Sequence, residues 1–547
     1  MGILSPTHDQ KRADAAAPTP SASQAPESRD PATGEVWKRY TSASREEVFA
    51  AVGRARMAQP AWAGRPLAMR VRALDRFHDA LYRRRQEIAD ALTRENGKPT
   101  AEALANEVAI ALDFARYYAR RAPGFLRAPW MGAAPLAMKR KRVRIAKEPY
   151  GVIGVVSPWN YPFMLSAAII LPALVTGNVV LLKPSELTPT SGALLVALLH
   201  DAGVPEDACL VLQGDASTGA ALCDAPVDKI FFTGSEPTGR TVAVRCAERL
   251  VPCSLELGGS DAAIVLADAD VHHAASGIAW GRFSNAGQTC VAPKRVYVEA
   301  PAYDAFVSAL HQQLKSLRLG AGLAADIDVG PMIRAGAVVT LTAQRDDALA
   351  LGATMSVGNP PRSDRLGAGS PLELANFFTP TVLQNVAPEA RVLREETFGP
   401  LLPIVRVRDA DEAVALANAS AYGLSASIWS ADTERAARLA ERIEAGSVAI
   451  NDAIITAGMA DVPHGGVKRS GMGRTHGLSG LEECVRTKAT VIDRFPKWRQ
   501  PWWFGYSVRN LAGVDAFVRL AHSTSSLVRV RAIPAILRMI FSQGRAR

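Results

Sequence analysis

The chain has 547 residues, of which 48% are hydrophobic and 21% charged, so it is an ordinary globular chain rather than a disordered, collagen-like or coiled-coil one. Its six scattered cysteines contain no CxxC pair, which excludes a disulfide scaffold and a zinc ribbon and indicates a reducing cytosol. Residues 491–547 carry +8 of the net charge of +10, so the body is nearly neutral and nucleic-acid binding is not expected.

The N-terminal segment, residues 1–28, is rich in Ala, Ser, Pro and charged residues and lacks the apolar core of a secretory signal. We therefore predict a disordered arm over these residues. A charged helical region follows to about residue 122. The basic run Lys139–Arg142 then opens an alternating segment, which indicates an exposed strand at a sheet edge.

Short apolar runs alternate with helical stretches from Gly151 onward. Such runs predict strands buried on both faces, and their separation by helices predicts βαβ units in a parallel sheet. A second series of runs begins near Arg295, so we expect two α/β domains. The apolar stretch Ala167–Leu182 is interrupted by Pro172 and Gly177, which favours a helix end, a turn and a strand over a membrane span.

Cys290 ends the sequence NAGQTC (285–290), among small, polar, turn-forming residues rather than in an apolar run. A nucleophilic thiolate needs such access, although a lone cysteine also fits a structural role. Glu256 ends a predicted buried strand and precedes Leu257 and two glycines, where open α/β sheets place their sites. It is interpreted either as a general base or as a capping or ion-paired carboxylate.

Two further segments follow predicted strands. Pro158 and Pro162 make a rigid turn around Asn160, whose side-chain amide either donates to a developing oxyanion or serves the turn alone. Gly234 and Gly239 bracket the sequence GSEPTG between a strand and a helix, where glycines let a cofactor pyrophosphate approach the backbone. This spacing is neither GxGxxG nor a P-loop, so each segment alone is a weak signal.

Taken together, these segments make the chain resemble the aldehyde dehydrogenase superfamily from about residue 30 to residue 493. The motifs that match in order and approximate spacing are PWNYP (158–162), KPSE (183–186), FTGS (232–235), ELGG (256–259), GQTC (287–290), EETFGP (395–400) and PHGGVKRSGMGR (463–474). The resemblance implies that the protein oxidises an aldehyde to the carboxylic acid with NAD(P)+. The alternative is a catalytically idle member that acts as a scaffold or binding protein.

The resemblance also implies a role for each matching residue. Cys290 is then the nucleophile, Glu256 the general base, and Asn160 one half of an oxyanion hole completed by the backbone N–H of Cys290. The implied cofactor-binding residues are Trp159, Lys183, Glu186, Gly234, Ser235, Gly239, Glu396 and Phe398. Glu186 beside the adenosine ribose favours NAD over NADP, with NADP as the alternative. A metal is not expected, and the glutamate base favours hydrolysis over acyl transfer to coenzyme A.

The implied fold is α/β, with two Rossmann-like parallel-sheet domains and a small oligomerisation β-arm. The predicted parts are a cofactor-binding domain over residues 29–138 and 150–257, a catalytic domain over 258–474, an oligomerisation arm over 139–149 and 475–493, and a C-terminal extension over 494–547. The expected partners are a small-molecule aldehyde and copies of the chain in a homodimer or homotetramer. The expected localisation is cytoplasmic, with membrane association as an alternative.

The resemblance places Tyr161, Leu165, Phe283 and His464 near the substrate pocket. His464 departs from the aromatic or apolar residue that is common at its position in the family. It is interpreted either as a spectator or as a group that makes the mouth of the pocket more polar.

The C-terminal extension combines aromatic, apolar and basic residues. It contains Trp498, Trp502 and Trp503, an apolar series at helical spacing (Ile533, Ile536, Leu537, Ile540 and Phe541), and Arg531, Arg538 and Arg545 on another face. This is a basic amphipathic pattern, whose apolar face must be covered. We predict that the extension packs at a subunit interface and extends a dimer, with membrane-surface binding as the alternative.

Overall fold

A computed structural model describes residues 25–135, 138–361, 376–495, 500, 503, 504 and 506–543. Residues 540–543 are described by their backbone alone. The internal contacts divide the chain into two compact units. Unit 1 comprises Met1–Phe125 and Pro149–Cys484, and unit 2 comprises Leu126–Glu148 and Val485–Arg547.

The strands of the described residues are β1 (Glu27–Arg29), β2 (Val36–Arg39), β3 (Met131–Gly132), β4 (Lys141–Pro149), β5 (Val152–Val156), β6 (Val179–Lys183), β7 (Cys209–Val211), β8 (Lys229–Thr233), β9 (Cys253–Glu256), β10 (Asp261–Val265), β11 (Pro293–Glu299), β12 (Thr354–Val357), β13 (Thr381–Gln384), β14 (Leu401–Val407), β15 (Tyr422–Gly423), β16 (Ser425–Trp429), β17 (Ser447–Ile450), β18 (Val467–Lys468), β19 (Gly471–Met472) and β20 (Val485–Asp493).

The α-helices of the same ranges are α1 (Arg45–Gly64), α2 (Leu67–Arg83), α3 (Arg85–Asn96), α4 (Thr100–Ala103), α5 (Ile110–Phe125), α6 (Pro162–Val175), α7 (Pro189–Asp201), α8 (Ala216–Asp224), α9 (Glu236–Glu248), α10 (Val271–Phe283), α11 (Ala300–Ser316), α12 (Ala335–Ala350), α13 (Arg391–Arg394), α14 (Ala410–Asn418), α15 (Thr433–Ala440), α16 (Gly477–Glu482), α17 (Val508–His522) and α18 (Ser526–Gln543).

The first large sheet of unit 1 has the strand order β19-β9-β8-β5-β6-β7, with β19 antiparallel to its neighbour and the other strands parallel. Its central strands β5, β6 and β8 are the short apolar runs that predicted two-sided burial, and nearly all their residues are buried. From β5 the chain builds outward through β6 and β7, and it then returns to the other side of β5 for β8 and β9. This reversal opens a crevice at the carboxyl ends of the strands, where open α/β sheets bind ligands.

The second large sheet of unit 1 has the order β12-β13-β14-β11-β10-β16-β17, with β12 antiparallel and the other strands parallel. Helix α10 packs beside it, and its first turn is capped by Asp270, which accepts from the N–H groups of His272 and His273. Two mainly parallel sheets with intervening helices confirm the predicted α/β fold class.

The apolar stretch Ala167–Leu182 forms the helix end, turn and strand that its interruptions predict. Helix α6 ends at Val175, and Gly177 adopts a φ of +99°, a left-handed conformation that glycine tolerates, before β6 begins. Within the described ranges, no helix combines the length and the apolar character that crossing a bilayer requires.

Two predicted boundaries differ from the structure. The arm over residues 1–28 reaches into β1, where Ser28 is fully buried, is bonded to Glu95, and lies 2.6 Å from the hydroxyl of Thr190. Composition alone hides this strand because its own residues are polar and its burial comes from distant helices. The oligomerisation arm over 475–493 reaches into α16, which belongs to unit 1.

Unit 2 contains a three-stranded sheet of order β20-β4-β3, in which β3 and β4 are antiparallel, and a hairpin of α17 and α18. The alternating basic segment forms β4, as predicted, and both Arg140 and Lys141 pair with Asp493 at 3.2 and 3.1 Å. In the hairpin, Ala516 of α17 packs against Ala532 and Ile536 of α18.

The apolar series predicted for the C-terminal extension is divided between two faces of α18. Ile536 is buried against α17, whereas Ile533 and Leu537 are 42% and 46% exposed. The reason is that the small residues Ala532 and Ala535 also point toward α17 and rotate the buried face away from the largest side chains. Trp503 is exposed; Trp498, Trp502, Arg545 and the side chains of Ile540 and Phe541 lie outside the described residues.

Candidate active site

Four segments singled out from the sequence follow the carboxyl ends of neighbouring parallel strands. The turn around Asn160 follows β5, the segment after Lys183 follows β6, Ser235 follows β8, and Glu256 is the last residue of β9. Parallel strands end at the same edge of a sheet, so the fold brings segments far apart in sequence to one crevice. Cys290 comes from the segment between α10 and β11 of the second sheet.

The turn around Asn160 is held through its backbone by buried polar side chains. Lys98 Nζ donates to the carbonyl of Asn160 at 2.8 Å and to Glu107 Oε1 at 2.6 Å. Glu107 Oε2 accepts from the N–H groups of Phe163 and Met164, at the start of α6. Since the Lys98–Glu107 pair is fully buried, this network fixes both ends of the turn in a low-dielectric setting.

The Asn160 side chain points toward the cysteine segment. Its Nδ2 donates to the carbonyl of Gln288 at 3.1 Å, and Asn285 Nδ2 donates to the carbonyl of Asn160 at 2.9 Å. The cysteine segment and the asparagine turn are therefore hydrogen-bonded to each other in both directions. This orients an amide N–H group in the neighbourhood of Cys290, as the oxyanion role of Asn160 requires.

The segment before Cys290 has an unusual backbone. Asn285 and Ala286 have φ values of +50° and +52°, which residues other than glycine adopt rarely. Gln288 stabilises this conformation, because its Nε2 donates to the carbonyl of Asn285 and its Oε1 accepts from the N–H of Ile333 at 3.0 Å. Strained backbone held by surrounding hydrogen bonds is common at functional sites.

Lys294 is the charged residue that supports Cys290 most directly. It is fully buried, and its Nζ donates to the carbonyl of Cys290 at 2.6 Å and to that of Thr289 at 3.0 Å. Burial raises the pKa of the Cys290 thiol to about 12, and the charge of Lys294 opposes this shift. The resting thiol is therefore neutral, and its proton must be removed when it attacks.

Glu256 is buried with both carboxylate oxygens lacking a hydrogen-bond partner among the described residues. Burial raises the pKa of Glu256 well above its usual range, and the charge of Arg474 opposes that shift. The Nε2 atom of His464 lies 4.0 Å from Oε2 of Glu256. An unpartnered carboxyl with a raised pKa is the arrangement expected of a general base or acid rather than of an ion pair.

Cys290 lines two cavities that meet at its side chain. The larger, with an empty volume of about 550 Å³ that includes its mouth, is lined by Asn106, Ile110, Tyr161, Met164, Leu165, Trp280, Thr289, Cys290, Val291, Ile454, Ile455, Ala457, Gly458 and His464. The smaller is lined by the polar residues Thr233, Glu256, Cys290, His464, Thr475 and His476 and by the apolar residues Leu165, Ala168, Ile169, Leu257 and Leu424. Cys290 therefore faces an apolar pocket on one side and Glu256 on the other.

Three of the four residues predicted to lie near the substrate pocket line the larger cavity. Tyr161, Leu165 and His464 line the larger cavity, as expected. Phe283 instead packs in the core beside the second sheet, with 1% of its surface exposed. It is the last residue of α10, and its side chain turns toward the sheet rather than toward Cys290.

The residues predicted to bind the cofactor occupy the crevice of the first sheet. Lys183 Nζ bonds Glu186 Oε2 at 3.1 Å, and the rings of Trp159 and Phe398 meet edge-on with centroids 5.5 Å apart. Glu396 Oε1 accepts from the N–H of Gly259 at 3.0 Å. The Trp159–Phe398 and Glu396–Gly259 contacts join the segment before β14 to segments that follow strands of the first sheet.

The start of α9 fits the pyrophosphate of a dinucleotide. Gly234 and Ser235 precede it, and the Ser235 side chain bonds Thr238 rather than capping the backbone N–H groups of the first turn. Since Pro237 has no N–H, the uncapped N–H groups that could meet an anion here are those of Glu236 and Thr238. Gly239 faces the protein instead, because a Cβ there would lie 2.4 Å from Leu257 Cδ2, so its contribution is close packing of α9 on the sheet.

Sequence reasoning missed several residues that build this site. Lys98, Glu107 and Lys294 carry no motif, and their positions become informative only once the fold buries them. His476 stacks on His464 with ring centroids 5.0 Å apart, and its two ring nitrogens lack partners among the described residues. The histidine in RTHG follows the recognised motif by two residues, which was the available signal. No cluster of His, Cys, Asp or Glu suited to a metal ion occurs among the described residues.

Residues 19–490 match the family described as "Aldehyde dehydrogenase family". The chain is 38% identical over 476 residues to 4,4'-diapolycopene aldehyde oxidase of a Methylomonas species, which covers 87% of each chain. It is 39% identical to succinate-semialdehyde dehydrogenase [NADP(+)] of Deinococcus radiodurans, over 88% of this chain and 98% of that one.

Solved structures agree with these relatives. The structure of an NAD-dependent aldehyde dehydrogenase from Sinorhizobium meliloti superposes with a TM-score of 0.82 at 32% identity. The match covers 88% of this chain and 93% of that one. The relatives and this structure together confirm the family resemblance, the α/β fold with parallel sheets and the use of NAD(P) that the sequence predicts.

Proposed function

The chain belongs to the aldehyde dehydrogenase family and oxidises an aldehyde to the acid with NAD(P)+, and we propose that Cys290, Glu256 and Asn160 carry out this reaction. The observation that supports these roles best is the position of Cys290 between an apolar pocket and the cavity that contains Glu256. An aldehyde in the pocket meets the thiol, and water on the other side meets the base. We also propose that the first sheet carries the cofactor and the second carries the nucleophile.

In the first half of the reaction, the sulfur of Cys290 attacks the aldehyde carbon and forms a thiohemiacetal. The thiol proton passes to the carboxylate form of Glu256, which borders the same cavity. Asn160 and the backbone N–H of Cys290 donate to the oxyanion. When bound, the nicotinamide supplies the acceptor for the hydride that leaves the carbon.

In the second half, a thioester on Cys290 is hydrolysed. Glu256 removes a proton from water, the water oxygen bonds to the acyl carbon, and the C–S bond breaks with its electrons returning to sulfur. The apolar walls of the cavity, which include Leu257 and Leu424, keep other water away from the thioester. Glu256 therefore serves both halves of the reaction.

The preferred substrate is an uncharged aldehyde with an apolar chain. Ile110, Met164, Trp280, Ile454 and Ile455 line the larger cavity, and its described lining contains no Lys, Arg, Asp or Glu. A second carboxylate on the substrate would lose its hydration there without gaining a charged partner. The relative named for a 4,4'-diapolycopene aldehyde therefore fits this lining better than the one named for succinate semialdehyde.

A panel of aldehydes tests this substrate class. At equal NAD+ concentration, kcat/KM is expected to rise from propanal through hexanal to decanal, because each buried methylene contributes about 0.8 kcal/mol. It is expected to be lower for succinate semialdehyde than for pentanal, which has a chain of similar length. A preference for succinate semialdehyde over pentanal would contradict the proposal while leaving the roles of Cys290 and Glu256 intact.

We further propose that the enzyme is a homodimer or homotetramer assembled through the sheet of unit 2. Ile145 of β4 and Val491 and Ile492 of β20 are 46%, 56% and 47% exposed, so this small sheet leaves apolar side chains uncovered. A second copy would cover them. Light scattering is expected to give the mass of two or four chains, and a monomer that loses no activity on dilution would contradict the proposal.

A further inference from the structure

The hairpin of α17 and α18 leaves one apolar stripe uncovered after its own core has formed. Ile536 and Met539 turn toward α17, where Met539 closes over Gly513. Val530, Ile533 and Leu537 recur at i, i+3 and i+7 on another face of α18 and are 63%, 42% and 46% exposed. Exposed apolar stripes of this kind mark interaction surfaces.

The charges beside this stripe are of one sign. Helix α18 carries Arg529, Arg531 and Arg538 and has no Asp or Glu. In the hairpin, the acidic residue of α17 is Asp515, which is paired with Arg519 at 2.7 Å. From Asp515 to the end of the sequence there is no further acidic residue. The surface around the stripe is therefore cationic.

We propose that this stripe docks on the surface of a membrane that contains anionic lipids. An amphipathic helix with arginines beside its apolar face lies in the interface plane, where the apolar side chains enter the acyl boundary and the arginines meet the headgroups. A second copy of the hairpin fits less well, since a two-fold contact would place the same arginines of both copies against each other. Charge complementarity thus selects a lipid surface.

The test uses the full-length enzyme and vesicles of phosphatidylcholine with or without 30% phosphatidylglycerol. The enzyme is expected to co-sediment with the anionic vesicles at low salt and to be released as salt screens the arginines. The double substitution Ile533→Ser/Leu537→Ser should weaken this binding at least tenfold, and Arg531→Gln/Arg538→Gln should remove the preference for anionic vesicles. Val339→Ser, at an exposed apolar position of α12 in unit 1, is the matched control and should bind as the wild type does.

Either of two results would overturn the membrane proposal. Equal binding of wild type and Ile533→Ser/Leu537→Ser would show that the stripe is not the docking surface. A failure of the wild type to bind, together with a smaller mass of the double variant in light scattering, would show that another copy of the chain covers the stripe. Activity with hexanal serves as the check that each variant is folded.

His464 lies beside Glu256 without hydrogen-bonding to it. His464 and Glu256 are 4% and 6% exposed, and 4.0 Å separates Nε2 from Oε2. Paired backbone bonds of 2.8 Å with Thr475 fix the position of His464, and its ring stacks on His476. Both residues border the cavity that also contains Cys290.

We infer that His464 is a positioning residue for Glu256. His464 holds the proton that Glu256 must release before Glu256 can act as a base. This inference rests on the proposed role of Glu256. Proton transfer from the carboxyl to Nε2 leaves a carboxylate beside an imidazolium, so each buried charge gains a partner. Glu256 then takes a proton from water, and His464 loses its own to solvent after the acid has left.

The other charged groups near the pair, Arg474 and Glu483, have hydrogen-bond partners of their own. Arg474 donates to the carbonyls of Gly466 and Gly473, and Glu483 is bonded to Lys229 and Ser254. Burial and the charge of Arg474 lower the pKa of His464 to about 4, whereas burial raises that of Glu256. A proton that the two share therefore rests on Glu256, and its transfer is the step that His464 assists.

The pH dependence of kcat distinguishes this role from packing. In His464→Phe, Glu256 loses its proton acceptor, so kcat should fall about tenfold at pH 7 and recover as the pH rises, with the profile shifted to higher pH. His476→Phe, which alters the stacking partner, should change kcat without moving the profile. An unshifted profile in His464→Phe would overturn the inference. The role of Glu256 is tested separately by the NADH burst of Glu256→Gln.

Discussion

The active-site region of unit 1 and the helical hairpin of unit 2 break the usual burial pattern in opposite directions. Around Cys290, the protein buries Glu256, Lys294 and His476, and leaves polar atoms of Glu256 and His476 without partners among the described residues. In the hairpin, Val530 and Leu537 stay in contact with solvent. Each departure costs free energy, and each points to a missing molecule of the matching polarity.

The comparison teaches that the two regions have to be tested with different observables. Unsatisfied polar groups in a buried site act on bound substrate and water, so their substitution should change rates. Exposed apolar groups act on an external surface, so their substitution should change binding and leave rates alone.

Replacement of Cys290 should have the largest effect. Cys290→Ala is expected to lower kcat by about four orders of magnitude or more, as the loss of a covalent nucleophile does elsewhere. Binding of NAD+, followed by quenching of tryptophan fluorescence, should persist. Cys223→Ala is the matched control, since Cys223 is a buried thiol in the core of the first sheet, and it should stay active. A Cys290→Ala enzyme within tenfold of wild type would refute the nucleophile assignment.

Glu256→Gln should separate the two halves of the reaction. The steady-state rate is expected to fall about 10²- to 10⁴-fold, which is the contribution of a general base. A burst of NADH, measured by stopped-flow absorbance, should remain but form more slowly than in wild type, because water must then take the thiol proton. Disappearance of the burst with the steady state would mean that Glu256 is the main acceptor of the thiol proton. Wild-type turnover in Glu256→Gln would exclude both roles.

The buried pair under the asparagine turn should matter for stability as well as rate. Lys98→Met leaves Glu107 charged and unpaired, and should lower the free energy of unfolding by about 3–5 kcal/mol. The double variant Lys98→Met/Glu107→Gln removes the stranded charge and keeps acceptors for Phe163 and Met164, so it should regain part of the loss. The midpoints of urea unfolding measure the stability of the single and the double variant. Equal midpoints for the two variants would show that the charge is not the cause.

Cofactor preference should respond weakly to Glu186. Its carboxylate is 48% exposed and bonded to Lys183, so solvent and that lysine both soften its repulsion of a 2′-phosphate. Glu186→Gln is expected to shift the ratio of kcat/KM for NAD+ over NADP+ toward NADP+ by about tenfold or less. Glu236→Gln, at another carboxylate near the start of α9, is a control for general charge effects. An unchanged ratio would remove Glu186 from the discrimination.

Removal of the hairpin should have the smallest effect on catalysis. Deletion of residues 506–547 is expected to leave kcat with hexanal within about twofold, because the proposed catalytic residues all lie in unit 1. The same deletion should abolish co-sedimentation with anionic vesicles. A large loss of kcat would show that the two regions are not independent.

The sequence predicted the parts of the site that rest on local patterns. Apolar runs, prolines and glycines directly set the carboxyl ends of β5, β6, β8 and β9 and the turn before Cys290, so the sequence could place them. Lys294 and the Lys98–Glu107 pair could not, since their importance depends on which backbone carbonyls the tertiary fold places nearby. The pairing of His464 with Glu256 likewise arises from segments more than 200 residues apart.

The same limit applies to the C-terminal extension. Helical spacing predicted an apolar face over Ile533, Ile536 and Leu537, but it could not tell which of these residues an adjoining helix would bury. The small residues Ala532 and Ala535 settled that, because they let α17 approach closely on their side. Side-chain volume along α18, rather than hydrophobicity, therefore decided which stripe stayed exposed.

The most direct test of the account is to capture the acyl group on Cys290. Glu256→Gln is mixed with hexanal and excess NAD+, quenched in acid within the first turnover, and analysed by mass spectrometry of the intact chain and its peptides. If Cys290 is the nucleophile, the mass increases by one hexanoyl group per chain, on the peptide that contains Cys290 and in step with the NADH formed. NADH formation without an adduct, or an adduct on another residue, would contradict that role.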